Sequence, residues 1–90
     1  MKRYYLIVKG KVQGVGFRAF TQQKAAQYEV SGHVMNHMDG SVGIEAQGDE
    51  QKLERFISAI RTGSPYSSVE EVTTEDKEVL ENELSFSIRY

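Results

Sequence analysis

Nine consecutive residues, Gly10-Lys-Val-Gln-Gly-Val-Gly-Phe-Arg18, concentrate the residue types best able to hold an anion. Glycines at 10, 14 and 16 reach backbone angles closed to other residues, so the segment reads as a loop with a shape to keep. Where such a loop opens a helix, several backbone N–H groups turn inward beside the helix's positive end, an arrangement suited to phosphate. Arg18 adds a planar, permanently charged fork that pairs bidentately with phosphate oxygens. On spacing alone, an ordinary glycine turn followed by a solvated arginine stays open as the other reading. Two better-known glycine signatures do not fit. Gly14-Val15-Gly16-Phe17-Arg18-Ala19 satisfies G-x-G-x-x-A, but a dinucleotide fold needs parallel βαβ units, an acid after the second strand and a longer chain. A Walker A loop needs Gly-Lys-Ser/Thr after its last glycine, where this chain has Phe17-Arg18.

His33 and His37 are the only imidazoles. On a helix their spacing would make a metal pair, but their surroundings read as a hairpin, where they would stand ~13 Å apart at ~3.3 Å per residue. No metal site is expected, and both are read as partly exposed strand residues. Asn36, a poor strand former in the first arm of that hairpin, offers one acceptor and two donors. In a sheet that pairs the strand after the first helix next to strand one, Asn36 comes near the glycine loop.

The elements that position these residues follow from periodicity. Residues 3 to 9, dense in aromatic and β-branched types and ended by Gly10, read as a central strand. From Arg18 to Tyr28, Phe17, Phe20, Ala25 and Tyr28 recur at helix-like intervals. Gly32 to Met38 and Ser41 to Gln47 flank Asp39-Gly40, a tight-turn dipeptide, and predict a β-hairpin. Leu53, Phe56, Ile57 and Ile60 follow i, i+3, i+4, i+7 and predict a helix over Asp49 to Arg61, stopped by Gly63 and Pro65. Val69 to Val79 reads as an edge strand, and the alternation of Leu84, Phe86 and Ile88 as a terminal one. This order is the split βαβ pattern of an α+β ferredoxin-like βαββαβ sandwich: an antiparallel sheet of four to five strands with two helices on one face.

Ninety residues with no cysteine and one proline predict a single domain spanning 1–90, and exclude disulfide scaffolds, thiol nucleophiles and cysteine-ligated zinc. The nine aromatic residues are expected to serve mainly the core, since a chain this short buries only ~60 to 65% of its unfolded surface. No apolar run approaches the ~20 residues of a membrane span, so a cytoplasmic location with no membrane partner is expected. The net charge of −2 hides an asymmetry: residues 1 to 28 hold six Lys or Arg and no acid, whereas 69 to 83 hold seven acids and one lysine. Such a balance disfavours nucleic acid and leaves a small anion as the expected partner. The acidic edge strand argues for a monomer.

Val8-Lys-Gly10-Lys-Val12-Gln13-Gly14-Val15-Gly16-Phe17-Arg18 resembles the signature loop of the acylphosphatases. Gly32-His-Val34-Met-Asn36, followed by Gly40, Val42 and Gly48, is similar to that family's second signature, and Phe86-Ser-Ile88-Arg-Tyr90 to its ending. The resemblance covers nearly the whole chain. It implies hydrolysis of the carboxyl–phosphate bond of acyl phosphates to carboxylate and inorganic phosphate, without metal or organic cofactor. Arg18 matches the family's phosphate-binding arginine, Asn36 the asparagine that positions the attacking water, and the backbone of Gln13, Gly14, Val15, Gly16 and Phe17 the phosphate cradle. One departure is His33, where the family usually carries an aromatic residue.

The implied chemistry asks little of the protein: fixed geometry and charge stabilisation of the transferring phosphoryl group. Asn36 takes no proton at neutral pH, so phosphate or solvent is the expected acceptor. The competing reading is a non-catalytic small-anion or RNA-binding ferredoxin-like module. Modules of the latter kind stack bases on central-strand aromatics, whereas Ser41 to Gln47 has none and only Tyr4 and Tyr5 are candidates.

Overall fold

A computed structural model describes residues 1–90. The elements run β1 (Lys2–Lys11), α1 (Phe17–Gln27), β2 (Ser31–Asn36), β3 (Val42–Gly48), α2 (Glu50–Thr62), β4 (Ser68–Lys77) and β5 (Phe86–Arg89). They form one sheet in the order β4-β1-β3-β2-β5. The α+β sandwich read from the sequence is therefore present. Three of its strand contacts are antiparallel, but β5 pairs with β2 in parallel, so the sheet is mixed rather than wholly antiparallel. The reason lies in the polar connection after β4, which carries the chain from one edge of the sheet to the other before β5 begins.

Strand alternation sorts the residues onto two faces. Leu6, Ile44 and Val34 sit side by side in register, as do Val8, Val42 and Asn36, and this face meets the helices. α1 buries Phe17, Thr21 and Ala25, while α2 buries Leu53, Phe56, Ile57 and Ile60. Asp49 caps α2 by accepting from the Lys52 amide, and Gly63 ends it at φ 77°. The core cluster of 14 residues is mainly aliphatic. Of the aromatics, only Phe17 and Phe56 are fully buried, and Tyr66 and Tyr90 stand in solvent. The expected commitment of aromatics to the core holds for most of them, since Tyr4, Phe20, Tyr28 and Phe86 pack against the cluster, but valines, leucines and isoleucines from β1, β2, β3 and α2 fill most of the layer.

On the other face, Arg3, Gln47 and Ser31 align, as do Tyr5, Glu45 and His33. The connection between β4 and β5 closes over one end of this face. Gln47 exchanges hydrogen bonds with the backbone of Leu80, and Glu83 accepts from Arg3 at 2.7 Å and from Ser31 at 2.9 Å. Arg3 is only 2% exposed and also reaches Glu45 at 3.0 Å. His33, expected to be partly exposed, is buried beneath the same cover. His37 lies beyond the end of β2 rather than within a strand.

β1 runs two residues further than its sequence suggested, so Gly10 belongs to the strand and not to the loop. A register shift between Lys9 and Gly10 marks a bulge against β4. A side chain at Gly10 would strike the Ser68 carbonyl, which fixes glycine here on steric grounds as well as by φ 127°.

Candidate active site at the strand ends

β1 and β2 are not neighbours, contrary to the pairing expected from the sequence, because β3 lies between them. They run in the same direction, each antiparallel to β3, so both end on one side of the molecule. β5, parallel to β2, ends there too. Three chain segments therefore converge: the glycine loop after β1, Asn36 at the end of β2, and Arg89-Tyr90 at the end of β5. The predicted approach of Asn36 to the loop holds, by a route that spans two strand spacings.

A cavity of about 180 Å³ opens between these ends, lined by Gly14, Gly16, Phe17, Arg18 and Asn36, with Ile88 and Tyr90 on its far wall. It has room for a small anion and not for a nucleotide-sized ligand, given that drug-sized pockets run to ~300–1,000 Å³. A larger groove, about 750 Å³, lies at the opposite end, where Met1, Glu29, Lys52 and Leu84 meet.

Gly14 and Gly16 take φ of 72° and 76°, and nothing lies within 4 Å of a Cβ built on either. They serve backbone conformation, leaving the space above them open. Gly16 caps α1 without a side-chain hydrogen bond, and no acid occupies the first turn. The first amide with a helical acceptor is that of Phe20, bonded to the Gly16 carbonyl at 3.0 Å. The amides of Phe17, Arg18 and Ala19 precede it and belong to the unsatisfied positive end of the helix.

Arg18 reaches across the mouth of the cavity. Its guanidinium lies 4.7 Å from the centre of the Tyr90 ring, and Nη1 donates to the Arg89 carbonyl at 3.4 Å. Asn36 ends the core-facing row beside Val42, and its Oδ1 is buried with no hydrogen-bond partner.

Gln13 and Val15 are placed differently from their three neighbours. Val15 packs against the core cluster. The Gln13 side chain turns from the cavity toward the β2–β3 turn. Sequence reasoning did not find Ile88 or Tyr90 as cavity walls; the alternation of Phe86 and Ile88 was visible, but their place depended on which edge β5 joins. It also missed a chain of side chains behind Asn36: Tyr5 to His37 at 3.2 Å, His37 to Ser41 at 3.1 Å, and Ser41 to Asp39 at 2.6 Å. Their roles follow from donors and acceptors. The Asp39 carboxylate, held below its ordinary range by the Ser41 hydroxyl and amide, accepts the Ser41 O–H. Ser41 Oγ then accepts His37 Nδ1–H, which leaves Nε2 to accept from Tyr5.

The sequence profile of the acylphosphatase family matches residues 4–88. An acylphosphatase of Bacillus velezensis is 47% identical over 90 residues, covering both chains completely. Among solved structures, the acylphosphatase from Bacillus subtilis superposes with a TM-score of 0.95 at 43% identity over the whole of both chains. An acylphosphatase from Coxiella burnetii reaches 0.90 at 31% identity, covering 98% of this chain and 92% of its own. With a profile match over nearly its full length, and relatives matched end to end, the chain belongs to the acylphosphatase family.

Proposed function

We propose that the protein hydrolyses acyl phosphates in the 180 Å³ cavity, with Arg18 and the backbone of Gln13, Gly14, Val15, Gly16 and Phe17 holding the phosphoryl group and Asn36 positioning water. Membership of the family makes it an enzyme that acts on acyl phosphates. The observation that carries the finer reading is the convergence of Asn36 with Gly14, Gly16 and Arg18 in the lining of one small cavity. Each part has a distinct task. The loop amides and the Arg18 fork neutralise charge on the equatorial oxygens as the phosphoryl group transfers. The Asn36 side-chain amide hydrogen-bonds the attacking water and so fixes its line of approach. The water oxygen bonds to phosphorus, the bond from phosphorus to the acyl oxygen breaks, and the carboxylate leaves with the electron pair. The proton of the water passes to a phosphate oxygen or to solvent, since the asparagine amide has no basicity to receive it.

In this reading the enzyme needs neither metal nor organic cofactor, acts as a monomeric cytoplasmic domain, and recognises the phosphoryl and carboxyl groups common to acyl phosphates. The test is benzoyl phosphate hydrolysis in EDTA by the wild type, Arg18→Ala and Asn36→Ala, with folding followed by circular dichroism. Activity that survives chelation and falls about 10²-fold or more in each folded variant is expected. A folded but inactive wild type would leave an anion-binding module, and an essential exposed carboxylate would overturn the assignment of proton transfer.

A further inference from the structure

The two halves of the site come from distant parts of the sequence, and one side chain ties them together. Gln13 Nε2 donates to the carbonyl of His37 and to that of Ser41, each at 2.8 Å. Both hydrogens of the amide are thus used on the loop that directly follows Asn36. The same two carbonyls close that loop: His37 O accepts the Gly40 amide at 3.2 Å, and Ser41 O accepts the His37 amide at 2.9 Å. The turn cannot slide relative to residue 13 without breaking both bonds of the clamp. On its far side the Tyr5–His37–Ser41–Asp39 chain holds it in place. Residue 13 immediately precedes Gly14 of the cradle, and residue 37 immediately follows Asn36.

We propose that the side chain of Gln13, as distinct from its backbone in the cradle, is a positioning group: its amide sets the distance between the phosphate cradle and Asn36 without touching substrate. This rests on the proposed roles of the cradle and Asn36. It separates two quantities that a substrate contact would move together. Phosphate binding depends on the loop amides and Arg18, whereas water alignment depends on where Asn36 stands relative to them. Loss of the clamp therefore acts on kcat.

The experiment compares Gln13→Leu and the isosteric Gln13→Glu, alone and combined with Asn36→Ala, using benzoyl phosphate as substrate and inorganic phosphate as inhibitor. Each single variant is expected to lower kcat roughly 10- to 100-fold, the scale of an ångström's misplacement. Phosphate inhibition should stay within about twofold of wild type. In the Asn36→Ala background the further loss should shrink to less than about threefold, because both changes remove the same alignment. In Gln13→Glu the carboxyl faces two carbonyl oxygens, which favours its protonated form and restores one donor. Its kcat relative to wild type should therefore rise toward acid, while the ratio for Gln13→Leu stays flat. Should the leucine variant be unfolded, the glutamate variant decides alone.

Unchanged kcat, weakened phosphate inhibition with kcat retained, or losses that multiply with Asn36→Ala would each overturn the positioning role. An inactive wild type, or full activity in Asn36→Ala, would instead remove the functional reading itself and this proposal with it.

Discussion

The His37 ring rests on Gly43: a Cβ built at Gly43 would fall 2.6 Å from His37 Cε1 and 3.0 Å from the Tyr5 hydroxyl. The glycine is required there for close approach and not for its backbone angles. It makes the socket in which Tyr5 and His37 meet behind the β2–β3 turn.

Gly43→Ala should therefore expel the ring and part Tyr5 from His37. Overpacking of this kind costs about 1–3 kcal/mol, which for a domain of this size lowers the thermal midpoint by at least ~4 °C. Gly40→Ala is the comparison: nothing lies within 4 Å of its Cβ, so only the φ of 93° resists substitution. Thermal melts check the prediction, and a Gly43→Ala variant as stable as the wild type would remove the socket.

The buried ion cluster around Arg3 predicts how the fold responds to acid. Burial alone would raise the Glu83 carboxyl, but hydrogen bonds from Arg3 and Ser31 more than offset it, leaving it below the ordinary value. A carboxylate depressed in the folded state contributes stability above its unfolded pKa of 4.5, and that contribution disappears as pH falls through the folded value. His33 has the same consequence at higher pH. Burial, then the charge of Arg89, lower its pKa below 6.5 against the pull of Glu45. The unfolded chain then binds a proton more readily, and stability declines as pH drops below 6.5.

Urea titrations across pH should show two declines, one beginning below pH 6.5 and one below 4.5. His33→Gln should remove the first. Glu83→Gln should flatten the second and lower stability at pH 7 by about 3 kcal/mol, the lower end for breaking a buried pair, because the Glu83 side chain keeps 21% of its surface exposed. An acid limb unchanged in both variants would refute the assignment.

Local pattern carried much of this molecule. The i, i+3, i+4, i+7 spacing of Leu53, Phe56, Ile57 and Ile60 predicted α2 within a residue of its ends, and Asp39-Gly40 marked the turn. Gly14, Gly16 and Arg18 were legible because their chemistry lies within five consecutive positions. Arg3 was not. Its partners Glu45 and Glu83 stand 42 and 80 positions away, and an arginine at the start of an apolar strand has no periodicity to signal burial. The Gln13 clamp was hidden for the same reason, as its acceptors lie 24 and 28 positions on. Asn36 was singled out by motif, yet the adjacency expected for its strand failed. What brings it to the loop is the shared direction of β1 and β2, a property of topology that no local window contains.

The glycines offer a way to separate fold from chemistry. Gly10→Ala drives a side chain into the Ser68 carbonyl and should leave little folded protein. Gly16→Ala meets open space and pays only for its φ of 76°, roughly 1–2 kcal/mol. It should fold, with a lower thermal midpoint, and relief of the strain by a change of φ should re-aim the amides at the start of α1 and weaken phosphate binding. Circular dichroism together with phosphate inhibition tests both. A folded Gly16→Ala enzyme with wild-type phosphate inhibition would remove the cradle from the site.

Arg18 carries the last prediction, because its planar guanidinium makes two contacts at once and still has N–H groups to spare. One face lies against Tyr90, and an edge donates to the Arg89 carbonyl, which leaves the remaining N–H groups free for an oxyanion. A lysine keeps the positive charge but presents a flexible ammonium with no planar fork. If charge alone mattered, Arg18→Lys would retain most phosphate binding. If the fork matters, it should lose at least about tenfold, since two parallel charge-assisted hydrogen bonds in fixed geometry give way to a mobile point charge. Tyr90→Leu removes only the ring beneath the guanidinium. A cation–π contact at an exposed site is worth ~0.5–1 kcal/mol, so phosphate binding should weaken about two- to fivefold, much less than in Arg18→Lys. Inorganic phosphate inhibition of the two variants gives the comparison directly. A lysine variant that binds phosphate as well as the wild type would show that Arg18 acts as a point charge.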